Sequence, residues 1–210
     1  MTIPPKTLIQ LEAGLQQLGI QATEAQIQQW LVYLQLLQKW NKTYKMTAIT
    51  DLDEMLVKHL LDSLAVAPWI KGDRIVDVGT GGGLPGIPLA ILIPEKSFTL
   101  VDSIGKKIQF VRHAKQQLKL SNVEPLNIRI EQLCAEEPFD TVVSRAFSSV
   151  NDFYMLCHHL VSPQGQLLAM KGADIEKNQL ALLPCESHIE RIEVPFLEAQ
   201  RHIISLTHPK

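Results

Sequence analysis

The stretch VDVGTGGGLPG, Val76 to Gly86, decides the fold of this chain. A short buried-strand pattern, Ile75-Val76-Asp77-Val78, runs into five glycines within eight residues and then into a helix-like segment with Pro85 and Pro88 near its start. Proline is tolerated there because the first turn of a helix leaves its N–H groups without intrahelical partners. A glycine-rich turn between a strand and a helix lets a ligand approach the backbone closely. Gly81-x-Gly83-x-x-Gly86 and Gly79-x-Gly81-x-Gly83 both fit nucleotide-binding spacings, so the glycines alone do not choose the ligand. No Gly-Lys-Ser/Thr follows, which argues against a Walker-type phosphate loop.

Asp77 adds the discriminating charge. It lies two residues before the first glycine, on the strand entering the loop. A pyrophosphate about 6 Å away, at an effective dielectric near 20, would be repelled by roughly 3 kcal/mol per charge pair. A cationic ligand gains a similar amount. S-adenosylmethionine carries an ammonium and a sulfonium and no phosphate, so the acid favours it. A second role for Asp77, accepting hydrogen bonds from the N–H groups of its own loop, is compatible with the first. Asp102 ends the next apolar run, Ser97–Val101, where a carboxylate can accept both hydroxyls of a ribose. Gly79 and Gly81 form the close approach, and Glu131 is placed to reach an adenine or its surroundings.

Working outward, the N-terminal third reads as helices. Leu8, Leu11, Leu15 and Leu18 recur at helical spacing and stop at Gly19. Thr23 and Gln26 form a capping-box pattern ahead of Ile27, Leu31, Leu34 and Leu37, on a helix reaching Trp40. A third helix runs from Asp53 to about Val66. These stripes read as core packing. From Lys71 onward, strands alternate with helices. Expected strands are Ile75–Val78, Ser97–Val101, Leu126–Ile130, Phe139–Ser144 and Gln166–Met170. Helices are expected over Pro85–Ile93, from Ile104 to Leu118, from Val150 to about Leu160, and around Ile175–Leu183. Such alternation implies a parallel sheet with helices on both faces. The last two strands, His188–Val194 and Arg201–Thr207, lack a helix between them and should pair antiparallel.

Composition narrows the class of protein. Of 210 residues 46% are hydrophobic and 20% charged, ordinary for a globular chain long enough to bury a sizeable core. No apolar run approaches the roughly 18–20 residues of a membrane span, and the start, MTIPPKTLIQ, has no signal-peptide core. Cys134, Cys157 and Cys185 are sparse and odd in number, which suits free thiols in a reducing cytoplasm. Cys157-His158-His159 lacks metal-ligand spacing, and no metal is expected. Net charge is −2, so a nucleic-acid partner would need a local basic patch. Lys106, Arg129, Arg145 and Lys171 all fall at or just past expected strand ends and could supply one.

After the fourth strand comes Ser144-Arg145-Ala146-Phe147, not the Asn/Asp-Pro-Pro-aromatic signature of exocyclic-amine methylation. Pro184-Cys185 lies in the wrong place for a cytosine-methylating nucleophile. An acceptor with a free lone pair, such as ring N7 of guanine, needs alignment but no general base. Arg145 could donate to the guanine edge or to a phosphate.

Together these segments closely resemble the RsmG family, also called glucose-inhibited division protein B. The resemblance covers nearly the whole chain. It is carried by Trp40-Asn41-Lys42-x-Tyr44-x-Met46-Thr47, His59-Leu60-Leu61-Asp62-Ser63, IVDVGTGGGLPGIPLA from Ile75, LVDSIGKK from Leu100, FDTVVSRAF from Phe139, and Met170-Lys171-Gly172. Gly82 departs from relatives, which often have proline there. The resemblance implies S-adenosylmethionine-dependent methylation at N7 of one guanine (guanine 527) in 16S rRNA of the small ribosomal subunit. It places cofactor contacts on Gly79, Leu84, Ile130, Glu131 and Arg145, with Asp102 at the ribose. It places the basic substrate pocket on Lys106, Arg129, Arg145 and Lys171. The expected architecture is an α/β, Rossmann-like, seven-stranded class I S-adenosylmethionine-dependent methyltransferase fold. Residues 1–66 form a helical region packed on the methyltransferase domain, 67–210. A cytoplasmic monomer is expected. A small-molecule methyltransferase of the same fold, a nicotinamide-dependent dehydrogenase and a non-catalytic RNA-binding module are the rival readings.

Overall fold

Ile75, Val76, Asp77 and Val78 are all buried, as a strand covered on both faces requires. In the computed structural model, which describes residues 4–147, 149–175 and 177–207, they belong to β1 (Arg74–Val78), near the middle of a sheet. The other strands are β2 (Ser97–Asp102), β3 (Val123–Asn127), β4 (Phe139–Ser144), β5 (Val161–Lys171), β6 (Glu186–Ile192) and β7 (Arg201–Thr207). Among the described residues these seven form one sheet in the order β3-β2-β1-β4-β5-β7-β6. The first five run parallel, and β7 is antiparallel to both β5 and β6. Strand order reverses between β1 and β4. Sheets of this kind bind ligands at such a switch point, outside the carboxyl ends of the strands.

Side chains of β1 alternate between two apolar layers. Ile75 joins Leu100, Val143 and Leu168 in a cluster shared with Trp30, Leu34, Ile87 and Phe110. Val76 and Val78 join Val101, Val142 and Leu167 in a second cluster with Phe153 and Cys157. The first layer is roofed by α1 (Pro5–Gln17), α2 (Glu24–Tyr44), α5 (Gly86–Leu92) and α6 (Gly105–Leu118). It also includes one continuous helical stretch, in which α3 (Leu52–Met55) passes through a π-helical segment (Leu56–Leu61) into α4 (Asp62–Leu64). The second layer holds α7 (Val150–Cys157) and Leu180 of α8 (Lys177–Leu180).

Helix α2 starts where its capping box places it, with Thr23 Oγ1 accepting from the Gln26 N–H. It continues past Trp40 to Tyr44. Its polar side chains then secure the elements beneath. Gln26 Nε2 donates to the carbonyls of Ile91 and Leu92 at the end of α5 (2.9 and 3.1 Å), and Gln29 Nε2 to Leu118 O at the end of α6 (2.7 Å). These are carbonyls that a helix terminus leaves unsatisfied. Trp30 Nε1 donates to Pro88 O, and the Tyr33 hydroxyl to Gly82 O at 2.7 Å, inside the glycine loop.

The edges differ from the sequence-based expectations. β3 begins at Val123, because Phe98 to Asp102 of β2 pair with Val123 to Asn127. The apolar alternation toward Ile130 enters a 3₁₀ turn (Ile130–Gln132) instead. Pro125 looks like a strand breaker, but β3 is an edge strand, where a missing N–H is tolerated. β5 starts five residues before Gln166, with a register shift opposite Phe139–Thr141 that absorbs Pro163-Gln164-Gly165. β6 ends at Ile192. The expected helix at Ile175–Leu183 is seen only as α8, and residue 176 lies outside the described residues.

Replacing Tyr33 by Phe leaves the Gly82 carbonyl without its buried donor. Tyr33→Phe should lower stability by about 1–2 kcal/mol in urea unfolding, with weakened S-adenosylmethionine binding as the second readout. Unchanged stability and affinity would show that α2 does not brace the loop.

Candidate functional site

The glycine loop is held from below. Gly79 and Thr80 donate their N–H groups to Val101 O (2.9 and 3.0 Å), anchoring the loop to β2. Asp77 Oδ2 accepts from Thr80 Oγ1 at 2.6 Å and from the Gly86 N–H at 2.9 Å, linking the end of β1 to the start of α5. Its Oδ1 has no hydrogen-bond partner, and burial pushes the carboxyl up to about 6. Gly79, Gly81 and Gly83 have φ values of 70°, 57° and 83°, a region that side chains disfavour. A Cβ on Gly79 would also lie 2.6 Å from that of Ala146, across the switch point. Asp102, at the end of β2, accepts from the Gly81 N–H through Oδ2 (2.9 Å) and from the Ile104 N–H through Oδ1 (2.8 Å). Each carboxylate oxygen keeps lone-pair capacity for a further donor.

Two cavities open at the carboxyl edge of the sheet. The inner one, about 210 Å³, lies over the loop and is lined by Gly79 to Gly82, Leu84 and Met46 among others. The outer one, about 450 Å³, is lined by Phe147, Met170, Lys171 and Arg201 among others. His59 and Arg145 line both and so stand at their boundary.

The boundary residues are rigidly held. Arg145 NH1 donates to Asp62 Oδ2 (3.1 Å) and Lys58 O (3.2 Å). Arg201 Nε donates to the other oxygen of Asp62 at 2.8 Å. The Asp62 side chain is 3% exposed, against 26% and 25% for the two arginines. His59 Nε2 lies 2.8 Å from Thr47 Oγ1, and Asn41 holds that segment by accepting from the Thr47 N–H and donating to Ile49 O. Burial, with the Arg145 charge second, pulls the His59 imidazole down to about 4, so it is neutral at physiological pH.

Gly79, Gly81, Leu84 and Arg145 therefore meet around one cavity, with Asp77 beneath and Asp102 bonded to the loop. Arg145 and Lys171 meet at the outer cavity, where Lys171 Nζ also donates to Phe147 O. Ile130 is nearly buried and Glu131 exposed in the 3₁₀ turn past β3; Lys106 and Arg129 are exposed near the same edge. These four line neither cavity. Lys107 spends its ammonium on Met46 O, tying α6 to the inner cavity wall. Asn41, Thr47, His59, Asp62 and Arg201 were not assigned roles from sequence. The signal for Asn41, Thr47, His59 and Asp62 was their place in segments that carry the family resemblance; Arg201 had none. Among the described residues no three His, Cys, Asp or Glu side chains could together hold a metal ion, and no helix is long and apolar enough to cross a membrane.

The chain is similar to known proteins in sequence and in fold. Residues 26–204 match the family model GidB, described as rRNA small subunit methyltransferase G. A protein of Francisella tularensis subsp. holarctica named ribosomal RNA small subunit methyltransferase G is 59% identical over 194 residues, covering 92% of this chain and 94% of the relative. A namesake from Francisella philomiragia is 58% identical over the same shares. Among solved structures, the O-methyltransferase TomG from Streptomyces achromogenes, in complex with SAM, aligns with a TM-score of 0.59 at 13% identity, covering 90% of this chain and 92% of TomG. An O-methyltransferase from Bacillus cereus in complex with SAH gives 0.59 at 16% identity, covering 84% and 90%. At these identities the structural matches establish the fold.

The lowered His59 pKa predicts a pH effect. The unfolded chain takes up this proton near pH 6.5 and the folded chain only near 4, so stability falls as pH drops through that window. His59→Gln removes the effect. Urea unfolding should show the stability of wild type, relative to His59→Gln, falling by on the order of 2 kcal/mol between pH 7 and pH 5. Parallel curves would mean that His59 titrates normally.

Proposed function

We propose that this chain, which belongs to the GidB family of rRNA small subunit methyltransferase G proteins, methylates ring N7 of a single guanine in 16S rRNA. It has the class I methyltransferase fold and is an S-adenosylmethionine-dependent methyltransferase of small-subunit rRNA. The restriction to one base is what the family resemblance implies, and the choice of N7 is supported by the character of the group at the cavity boundary. An exocyclic amine or a hydroxyl must lose a proton as it is methylated. His59, the imidazole at that boundary, is a weak base pulled down to about 4. Ring N7 presents a lone pair and requires no proton acceptor before transfer.

The inner cavity suits the cofactor. Its three left-handed glycines and the approach of Gly79 to Ala146 leave backbone, not side chains, facing the ligand. Asp102 offers acceptors for ribose hydroxyls, and the orphaned Asp77 Oδ1 adds negative potential beneath a cationic ligand. When bound, S-adenosylmethionine supplies an electrophilic methyl on a positively charged sulfur. The chain's own residues then do three things. Gly79, Gly81 and Leu84 hold the ligand against the switch point. Asp62 fixes Arg145, which donates to the base edge or its phosphate. Neutral His59 keeps an additional positive charge away from the boundary, where the purine becomes cationic. Lys106, Arg129 and Lys171 extend the basic surface along the same edge, and Ile130 and Glu131 flank the adenine side. Residues 1–66 act with 67–210 as one unit, since the 52–64 stretch walls both cavities and Leu37 of α2 walls the inner one. A reducing cytoplasm fits the free cysteines.

The test offers purified protein, with methyl-labelled S-adenosylmethionine, small subunits and extracted rRNA from cells lacking the modification. Label at N7 of one guanine is the expected result. Label only in small-molecule acceptors would favour the small-molecule alternative. Asp102→Ala should weaken S-adenosylmethionine binding by roughly 1.5–3 kcal/mol, read by calorimetry. Arg145→Ala should cut turnover strongly while the protein stays folded by circular dichroism; near-normal turnover would make Arg145 a bystander.

A further inference from the structure

The outer cavity contains more positive charge than the substrate residues read from the sequence account for. Lys58, Arg145, Lys171 and Arg201 line it with a single carboxylate, Asp62. Lys58 is partly offset by Glu54 at 2.9 Å, on the exposed side. Arg145 and Arg201 reach the cavity from two strands with β5 between them, one following β4 and the other opening β7. Their guanidinium groups meet on the two oxygens of Asp62, at 3.1 and 2.8 Å. Arg201 uses Nε for Asp62 and NH1 for Gln200 O. A guanidinium has five N–H donors, so this side chain retains donors for a ligand.

We propose that Arg201 is a second contact for an RNA phosphodiester in the outer cavity, and that buried Asp62 is the positioning residue that aims Arg145 and Arg201 into it together. The proposal rests on the outer cavity being the rRNA site of the methyltransferase described above. Two arginines side by side would normally repel and spread into solvent. A shared carboxylate, nearly free of water, holds them side by side on the cavity wall, each about a quarter exposed. One charge on Asp62 cannot neutralise two guanidinium groups, so the pair keeps a net positive charge. Planar, multiply donating cations of this kind recognise phosphate oxygens. The cavity's apolar members, Ile49, Phe147 and Met170, provide a surface for the attached nucleoside. Arg201 lines the outer cavity and not the inner one, so its role is separable from cofactor binding.

Arg201→Gln, Arg201→Lys and Asp62→Asn should be assayed for methylation of unmodified small subunits, S-adenosylmethionine Kd, melting temperature, and the salt dependence of binding to extracted small-subunit rRNA. Arg201→Gln is expected to raise KM for the subunit about tenfold or more. It should reduce the slope of log Kd against log salt by about 0.7–0.9, the value of one lost phosphate contact. S-adenosylmethionine Kd should remain within about twofold of wild type, a change too small to represent a lost charged contact. Arg201→Lys should keep the wild-type salt slope while recovering only part of the KM. Asp62→Asn should lower kcat/KM with cofactor affinity retained. Wild-type KM and salt slope in Arg201→Gln would overturn the contact. If Asp62→Asn loses activity only in proportion to folded protein, Asp62 is a tie between chain ends and not a positioning residue. Should that variant fail to fold, the two Arg201 variants still decide the phosphate contact. A wild-type protein that labels no subunit would instead count against the proposed function, while the rRNA-binding measurement would still report on Arg201.

Discussion

A single carboxylate oxygen, Asp77 Oδ2, holds the end of β1 to the beginning of α5. It accepts from Thr80 Oγ1 and from the Gly86 N–H, so the glycine loop closes over it as a tight arch. Gly86 must lack a side chain, because a Cβ there would lie 2.8 Å from that same oxygen and from Leu100. The arch sets where the loop's backbone faces outward and therefore where the inner cavity lies. Burying the carboxylate is costly, as its raised pKa shows, and only part of that cost is offset by two donors. The remaining oxygen, Oδ1, is buried beneath the loop without a hydrogen-bond partner.

The rest of the architecture keeps that arch from relaxing. From above, α2 grips the loop through Tyr33 and the ends of α5 and α6 through Gln26 and Gln29. From the side, Ser144 donates to Val78 O at 2.6 Å and accepts from the Ala146 N–H, joining the ends of β4 and β1 at the switch point. Arg145 is thereby fixed in backbone and, through Asp62, in side chain. A nucleophile with a lone pair needs little more from its enzyme than such alignment and the exclusion of water. The helical N-terminal residues are thus part of the site's walls, not a separate cap.

Charge is arranged locally in a chain whose net charge is only −2. Basic side chains gather at the carboxyl edge around Arg145, while three of the carboxylates there, Asp62, Asp77 and Asp102, are buried and bonded. Asp77 and Asp102 support the loop, and Asp62 is shared between two arginines. His59 is held neutral between them and the cofactor loop, so the boundary carries fewer cations than its residue types suggest.

The fold was largely legible in the sequence because it follows from local rules. The run IVDV between the glycines and Lys71, the capping box at Thr23, and the alternation of strand and helix each depend on neighbours within a turn or two. The antiparallel close of β6 and β7 followed from the missing helix between them. The glycine arch was legible for the same reason, since Asp77 to Gly86 is one contiguous segment. Tertiary structure decided what lies between distant segments. The start of β3 was set by pairing with β2, against the appearance of Pro125, and β5 gained residues by a bulge that β4 accommodates. Asp62 and Arg201 became candidate site residues only when residues 139 positions apart met on one carboxylate, and His59 only when it came to line both cavities. A helical stripe reports which face is buried, but not whether a polar member of that face will find a charged partner across the fold.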